Sequence, residues 1–164
     1  MSNKTLKVPK KLHTVTLWVH PEGRVIGSLY LRKQSPDHAG TEQPLEVLNQ
    51  CESFLVFKIQ DPDELRFYNI KSVIRVDYIA DTSEIVSDIA PMECHLYMMD
   101  GSFIEGKVFE SLPPDQARLL DYLNRREENF IKIHMQEGLI YLINKSYINH
   151  VHIAGIKEDT TDSD

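Results

Sequence analysis

His150 and His152 stand one residue apart, the spacing in this 164-residue sequence best suited to holding a metal ion. On a strand, alternate side chains share a face, so both imidazoles point the same way and offer two zinc-type nitrogen ligands. Further ligands would have to come from His95, His134, Cys94 or Glu93. The competing reading is a pair of solvent-side histidines on a terminal strand, with Val151 and Ile153 facing inward. No cofactor is expected. Nucleophilic chemistry finds less to work with. Neither Cys51 nor Cys94 lies in a nucleophile motif, and no Gly-x-Ser-x-Gly elbow occurs. Cys94 and His95 are adjacent, so a strand would turn them to opposite faces. Neither a Walker A loop nor Gly-x-Gly-x-x-Gly is present. Asp61 and Asp63, either side of Pro62, read as a turn. The chain is therefore expected not to be an enzyme.

Two binding chemistries remain. Arg118, Arg125 and Arg126, with Lys107, Lys132 and Lys145, form the densest basic grouping, and Tyr122, Tyr141 and Tyr147 lie near them in sequence. Cations beside aromatic rings are how single-stranded nucleic acid is held without base readout. Against this, Glu127 and Glu128 follow the arginines directly and can pair with them. A net charge of −7 also weighs against extended contact with a phosphate backbone. The other chemistry is protein contact. Trp18 is the single tryptophan and faces opposite Leu17 and Val19, so if exposed it is an anchor for a partner. Exposed strand edges offer a second means, since another chain can add a strand there.

The elements that position these residues come in two similar series. Val15-Thr16-Leu17, a turn at Gly23 and Val25 to Leu29 are echoed by His95-Leu96-Tyr97, Gly101 and Ile104 to Val108. Leu45-Glu46-Val47-Leu48-Asn49 returns as Leu120-Asp121-Tyr122-Leu123-Asn124, and Phe54 to Lys58 as Phe130 to His134. Lys71-Ser72-Val73-Ile74 is matched with Lys145-Ser146-Tyr147-Ile148. Such self-similarity marks a duplicated unit of roughly 60 residues. Each unit reads as four strands and a short helix: a hairpin (Asp100-Gly101 is a strong turn signal), a helix, and a closing hairpin. The first closing hairpin is expected to pair Phe54–Ile59 with Leu65–Val76, the second Phe130–Met135 with Leu139–His152. Gly27 and Gly106 recur inside strands, where glycine marks a bend, a bulge or a close backbone approach.

The second series carries Arg118-Leu119-Leu120-Asp121-Tyr122-Leu123-Asn124, Phe130 and Asn144-Lys145-Ser146-Tyr147-Ile148. This pattern resembles repeats of a bacterial family of tandem β-rich proteins with no assigned activity, so the resemblance implies no catalytic residues. The first series departs from it: Glu46 stands where Asp121 does, and no arginine matches Arg118. Leu96 to Val108, a strand followed by Asp-Gly, four residues, Gly and an apolar strand, is also similar to the opening of the Sm-like small barrel. The Asn-bearing uridine-binding loop of true Sm proteins has no counterpart here.

Together these readings predict a predominantly β, α+β fold: a tandem, small-barrel-like duplication related by a pseudo-twofold. The expected divisions are a basic N-terminal arm at 1–12, a first repeat at 13–80, a linker at 81–91, a second repeat at 92–156 and an acidic, disordered tail at 157–164. Ile85, Val86 and Ile89 suggest that the linker lies on the surface or adds a strand. The N-terminal lysines precede no apolar stretch of signal-peptide type, and no run approaches the roughly 20 apolar residues of a membrane-spanning helix. Two cysteines in non-equivalent places suit free thiols in a reducing cytoplasm. The expected role is a non-enzymatic cytoplasmic binding or scaffolding module whose partner is another protein or, as a homodimer, a second copy of itself. The alternative is an Sm-like nucleic-acid binder using Arg118, Arg125, Arg126 and Tyr122.

Overall fold

The structure, a computed structural model, describes residues 9–81, 84, 88–110 and 118–153, Arg118 and Ile153 by backbone alone. Residues 1–8 of the basic arm, linker residues 82, 83 and 85–87 (Ile85 and Val86 among them), the Ser111–Gln116 helix entrance and the acidic tail lie outside the described residues. The fold is predominantly β, with a small helical part, as the alternating residues predict. Among the described residues ten strands form one antiparallel sheet: β1 (Lys10–Val19), β2 (Gly23–Arg32), β3 (Phe54–Ile59), β4 (Glu64–Asn69), β5 (Val73–Ile79), β6 (Met92–Met98), β7 (Phe103–Val108), β8 (Phe130–His134), β9 (Leu139–Asn144) and β10 (Ile148–Ile153). The described residues also form two short helices, α1 (Pro44–Gln50) after β2 and α2 (Arg118–Leu123) after β7. In β1, Val15, Leu17 and Val19 are buried while Thr14, Thr16 and Trp18 face the other way, the period-two pattern of a sheet with one covered face.

The strand order is β10-β6-β7-β8-β9-β5-β1-β2-β3-β4. The sheet is open, ending at β10 and β4, and is not closed into a barrel. The expected closing hairpins also need correction, because Leu65–Val76 and Leu139–His152 are not single strands. Asn69 ends β4 by accepting the Lys71 backbone N–H at 2.9 Å, and Asn144 ends β9 by accepting that of Ser146 at 2.9 Å. Each asparagine caps a 3-10 turn that carries the chain away, so β5 pairs with β1 and β10 with β6. The two turns align through these asparagines. That shifts the sequence match by one position: Val73 corresponds to Ile148.

The five strands of residues 10–79 thus lie in the order 5-1-2-3-4, and the five of 92–153 in the order 10-6-7-8-9. They meet where β9, fourth of its five, pairs with β5, the last of its own. A pseudo-twofold does not describe this arrangement. A twofold across a single junction joins like edges, and here unlike edges meet.

Two apolar clusters fill the interior. One gathers Leu17, Leu29, Leu48, Phe57 and Val76. The other gathers Leu96, Ile104, Tyr122, Ile131 and Ile143. Gly27 and Gly106 set how closely neighbouring strands cross. A Cβ on Gly27 would lie 2.5 Å from the Lys58 carbonyl oxygen and from the Phe57 ring, and one on Gly106 would lie 2.4 Å from Ile133 Cγ2. Both glycines are therefore close-approach positions. Gly27→Ala and Gly106→Ala are each expected to cost about 1–3 kcal/mol of folding stability by overpacking, read as a lower urea midpoint at unchanged slope.

Candidate interaction surface

The β5–β9 junction shows what this sheet does when two of its edges meet. The strands run antiparallel with Arg75 opposite Ile143, Val76 opposite Leu142 and Tyr78 opposite Ile140. Side chains lock that register. Asn49, at the end of α1, accepts the Phe130 backbone N–H at 2.8 Å and donates to the Phe130 carbonyl at 3.3 Å. Asn144 donates to the Val73 carbonyl at 2.9 Å. The Arg75 guanidinium lies 4.6 Å from the Trp18 ring centroid and 4.3 Å from that of Tyr141, within cation–π range of both. Asp77 holds this arginine in place and accepts the Trp18 indole N–H at 2.8 Å.

The outer side of the β8–β9 hairpin supplies the apolar part of the junction. Phe130, Ile140 and Leu142 are 1%, 1% and 0% exposed and belong to the cluster formed mainly by the first half of the chain. The β3–β4 hairpin has the same internal register, with Phe54 opposite Asn69 where β8–β9 has Phe130 opposite Asn144. Its outer side is bare. Phe54, Val56, Leu65 and Phe67 are 60%, 40%, 51% and 65% exposed, next to the edge of β4, which pairs with no further strand among the described residues. A contiguous exposed apolar patch beside a free strand edge is the usual mark of an association site. A sequence signal for it exists. Phe54-Leu55-Val56-Phe57 is apolar on both faces, as strands covered on both sides are, yet only Leu55 and Phe57 are buried.

The residues singled out by sequence are scattered over the molecule. Trp18 is half-buried on β1, held by Asp77 and Arg75 as described, and serves the internal junction. Tyr122 is fully buried, and its hydroxyl oxygen accepts the Lys132 backbone N–H at 3.2 Å. It therefore offers no open ring face to a base. Arg125 lies 5.1 Å from the Tyr122 ring centroid and 3.5 Å from carboxylates of both Glu110 and Glu128. Arg126 is exposed, and the Arg118 side chain lies outside the described residues.

His150 and His152 do share a face of β10, the free edge at the other end of the sheet. His150 stacks on Tyr97 with centroids 4.4 Å apart, and His152 meets His95 edge-on at 4.7 Å. Among the described residues no three His, Cys, Asp or Glu side chains converge as a metal site, and Cys94 is buried on the opposite face from His95.

Both cysteines are free thiols. Burial pushes the Cys94 thiol up to about 11 and raises that of the half-buried Cys51 as well. The thiolate is the reactive form, so at pH 8 the native protein is expected to show one slow thiol, Cys51, toward a disulfide reagent. Cys94 should react only on unfolding, and equal rates for both would contradict the burial.

These features define an open antiparallel sheet with one satisfied internal strand junction and an exposed apolar patch beside a free edge. No family model, curated protein or solved structure matches this chain. No helix among the described residues is long and apolar enough to cross a membrane.

Proposed function

We propose that this chain is two tandem copies of one five-stranded unit, and that it acts in the cytoplasm as a non-enzymatic binding or scaffolding module through protein–protein contact. The duplication is supported by the shared strand order of the two halves and by the Asn69 and Asn144 caps. It is supported too by the glycines placed alike, Gly27 opposite Val15 and Gly106 opposite Cys94. The observation that carries the binding role is the bare outer face of β3–β4. Four large apolar side chains stand in solvent there, at positions whose counterparts in the second unit include the buried Phe130, Ile140 and Leu142.

The test compares the wild-type protein with Phe67→Asp in tagged purification from the native host, read for bound protein and for absorbance at 260 nm. The expected result is a protein contact that Phe67→Asp removes and that salt hardly changes. Nucleic acid retained at low salt and released at high salt would favour the Arg118, Arg125 and Arg126 region instead, because backbone binding weakens steeply with salt. A small-molecule product formed by the clean, unbound protein would overturn the non-enzymatic reading.

A further inference from the structure

We infer that the occupant of the bare face is a second copy of this chain, whose β10 edge pairs with β4 in the register that β5 and β9 already use. This rests on the duplication proposed above and goes beyond it by naming the partner, the two edges and the residues opposed.

Within one chain, the fourth strand of one unit (β9) pairs with the last strand of the other (β5). Among the described residues the same two edges remain unpaired at the ends of the sheet: β4 is the fourth strand of its unit and β10 the last of its own. Transferring the junction by the asparagine alignment sets Tyr68 of one copy opposite His150 of the next, Phe67 opposite Val151, and Arg66 opposite His152. Both halves of the contact are waiting. On the donor side Phe54, Leu65 and Phe67 are exposed where Phe130, Ile140 and Leu142 are buried. Asn69 is exposed where Asn144 is buried against Val73.

On the acceptor side Asn124 occupies the helix-end position of Asn49 and is exposed, as is Leu120, the counterpart of the half-buried Leu45. Asn124 is thus placed to grip the Phe54 backbone of the next copy as Asn49 grips Phe130. The cation–aromatic contact is preserved with its roles exchanged. Inside the chain, Arg75 on the last strand meets Tyr141 on the fourth. Between chains, Arg66 on the fourth strand meets His150 on the last, already stacked on Tyr97.

Because unlike edges meet, the contact is heterologous. Each copy keeps one donor and one acceptor edge, so copies add head to tail into a closed ring or an open filament, and not an isologous dimer.

The test is sedimentation of the purified full chain, wild type against two single variants that spoil one edge each: Phe67→Asp on the donor side and Asn124→Lys on the acceptor side. Both positions are exposed, and circular dichroism confirms that each variant remains folded. Wild type is expected to sediment as an oligomer. Each variant alone should sediment as a monomer, with association weakened at least about 30-fold, as for loss of a central interface anchor. Mixing them leaves one good donor and one good acceptor, so the equimolar mixture should form a dimer and nothing larger. A monomeric wild type overturns the inference. So does an oligomer that survives either variant, or a pair of variants that fails to combine. If wild type is monomeric yet loses a bound protein on Phe67→Asp, the occupant is a different chain: self-pairing fails and the binding-module reading stands. If it is monomeric and binds no protein at all, both fail.

Discussion

Leu142→Ala is expected to destabilise the folded chain by about 2–5 kcal/mol, the cost of emptying a fully buried leucine site that cannot fully collapse. Leu142 is 0% exposed and sits on β9 with its side chain in the cluster built mainly by the first half. Phe67→Ala, at the corresponding position of β4, is expected to change the stability of dilute, dissociated protein by less than about 0.5 kcal/mol, as surface substitutions do. The larger side chain therefore has the smaller effect. Urea unfolding of the two variants at low protein concentration checks this directly. Equal losses would mean that the β3–β4 face is covered from within the chain. The contrast isolates environment from chemistry, because the strand, the register and the apolar character are shared and only the covering differs.

The second large effect is expected at Lys132. Its ammonium donates to Glu84 Oε1 at 2.7 Å, and the Tyr78 hydroxyl donates to the same oxygen at 2.5 Å. Glu84 Oε2 accepts the Asp81 backbone N–H at 3.3 Å. The Glu84 side chain is 4% exposed, so its charge has almost no water to lean on. Lys132→Met leaves that carboxylate with two hydrogen bonds and without its paired ammonium, a change expected to cost about 3–5 kcal/mol. Adding Glu84→Gln should recover most of the loss, since removing both charges removes the desolvated orphan. A double-mutant cycle read by thermal or urea unfolding settles it. Additive losses would show that the pair does not act as a unit. Burial pushes the Tyr78 phenol far up, so its hydroxyl stays a donor to Glu84 throughout the accessible pH range. The triad ties β8 of the second half to β5 of the first, and its loss should loosen the junction in particular.

The bare β3–β4 face and the satisfied junction explain each other. A sheet whose strands are apolar on both faces must be covered on both. The second half of the chain achieves this by laying β8–β9 against the first half, with Asn49 and Asn144 taking up the backbone groups left at the seam. Among the described residues the first half has no such neighbour within the chain. Its free edge, with Phe54, Leu65 and Phe67 beside it, is the kind of surface that isolated proteins blunt with charge or proline. Arg66, paired with Glu22 and Glu64, supplies some charge, but the outer side remains apolar.

Much of this molecule was legible in its residues. Alternation around Leu17 and Val19 placed a strand with Trp18 on the opposite face, because side chains on a strand change sides at every residue. Asp100-Gly101 marked a hairpin, and Gly101 takes the positive φ that such turns ask of glycine. The recurrence of Gly27 as Gly106 pointed to a bend, a bulge or a close approach, and the structure has the close approach, with no room for a Cβ. These are local matters, decided by backbone sterics over a few residues. The shared face of His150 and His152 was legible for the same reason, but not that their neighbours would be Tyr97 and His95.

The tertiary structure alone decided which strands meet. Nothing in Leu65–Val76 as a string says that the chain turns at Asn69 and carries β5 away to β1. Pairing is a contest among distant edges, won by apolar burial and hydrogen-bond satisfaction together. The same holds for Trp18, whose fate depended on Asp77 and Arg75 from another strand, and for Tyr122, whose burial depended on β8. It holds above all for Phe67 and Leu142, alike in type and place along the chain. Burial is a property of what lies across from a side chain, and only the folded molecule puts a neighbour beside one of them and leaves the other in water.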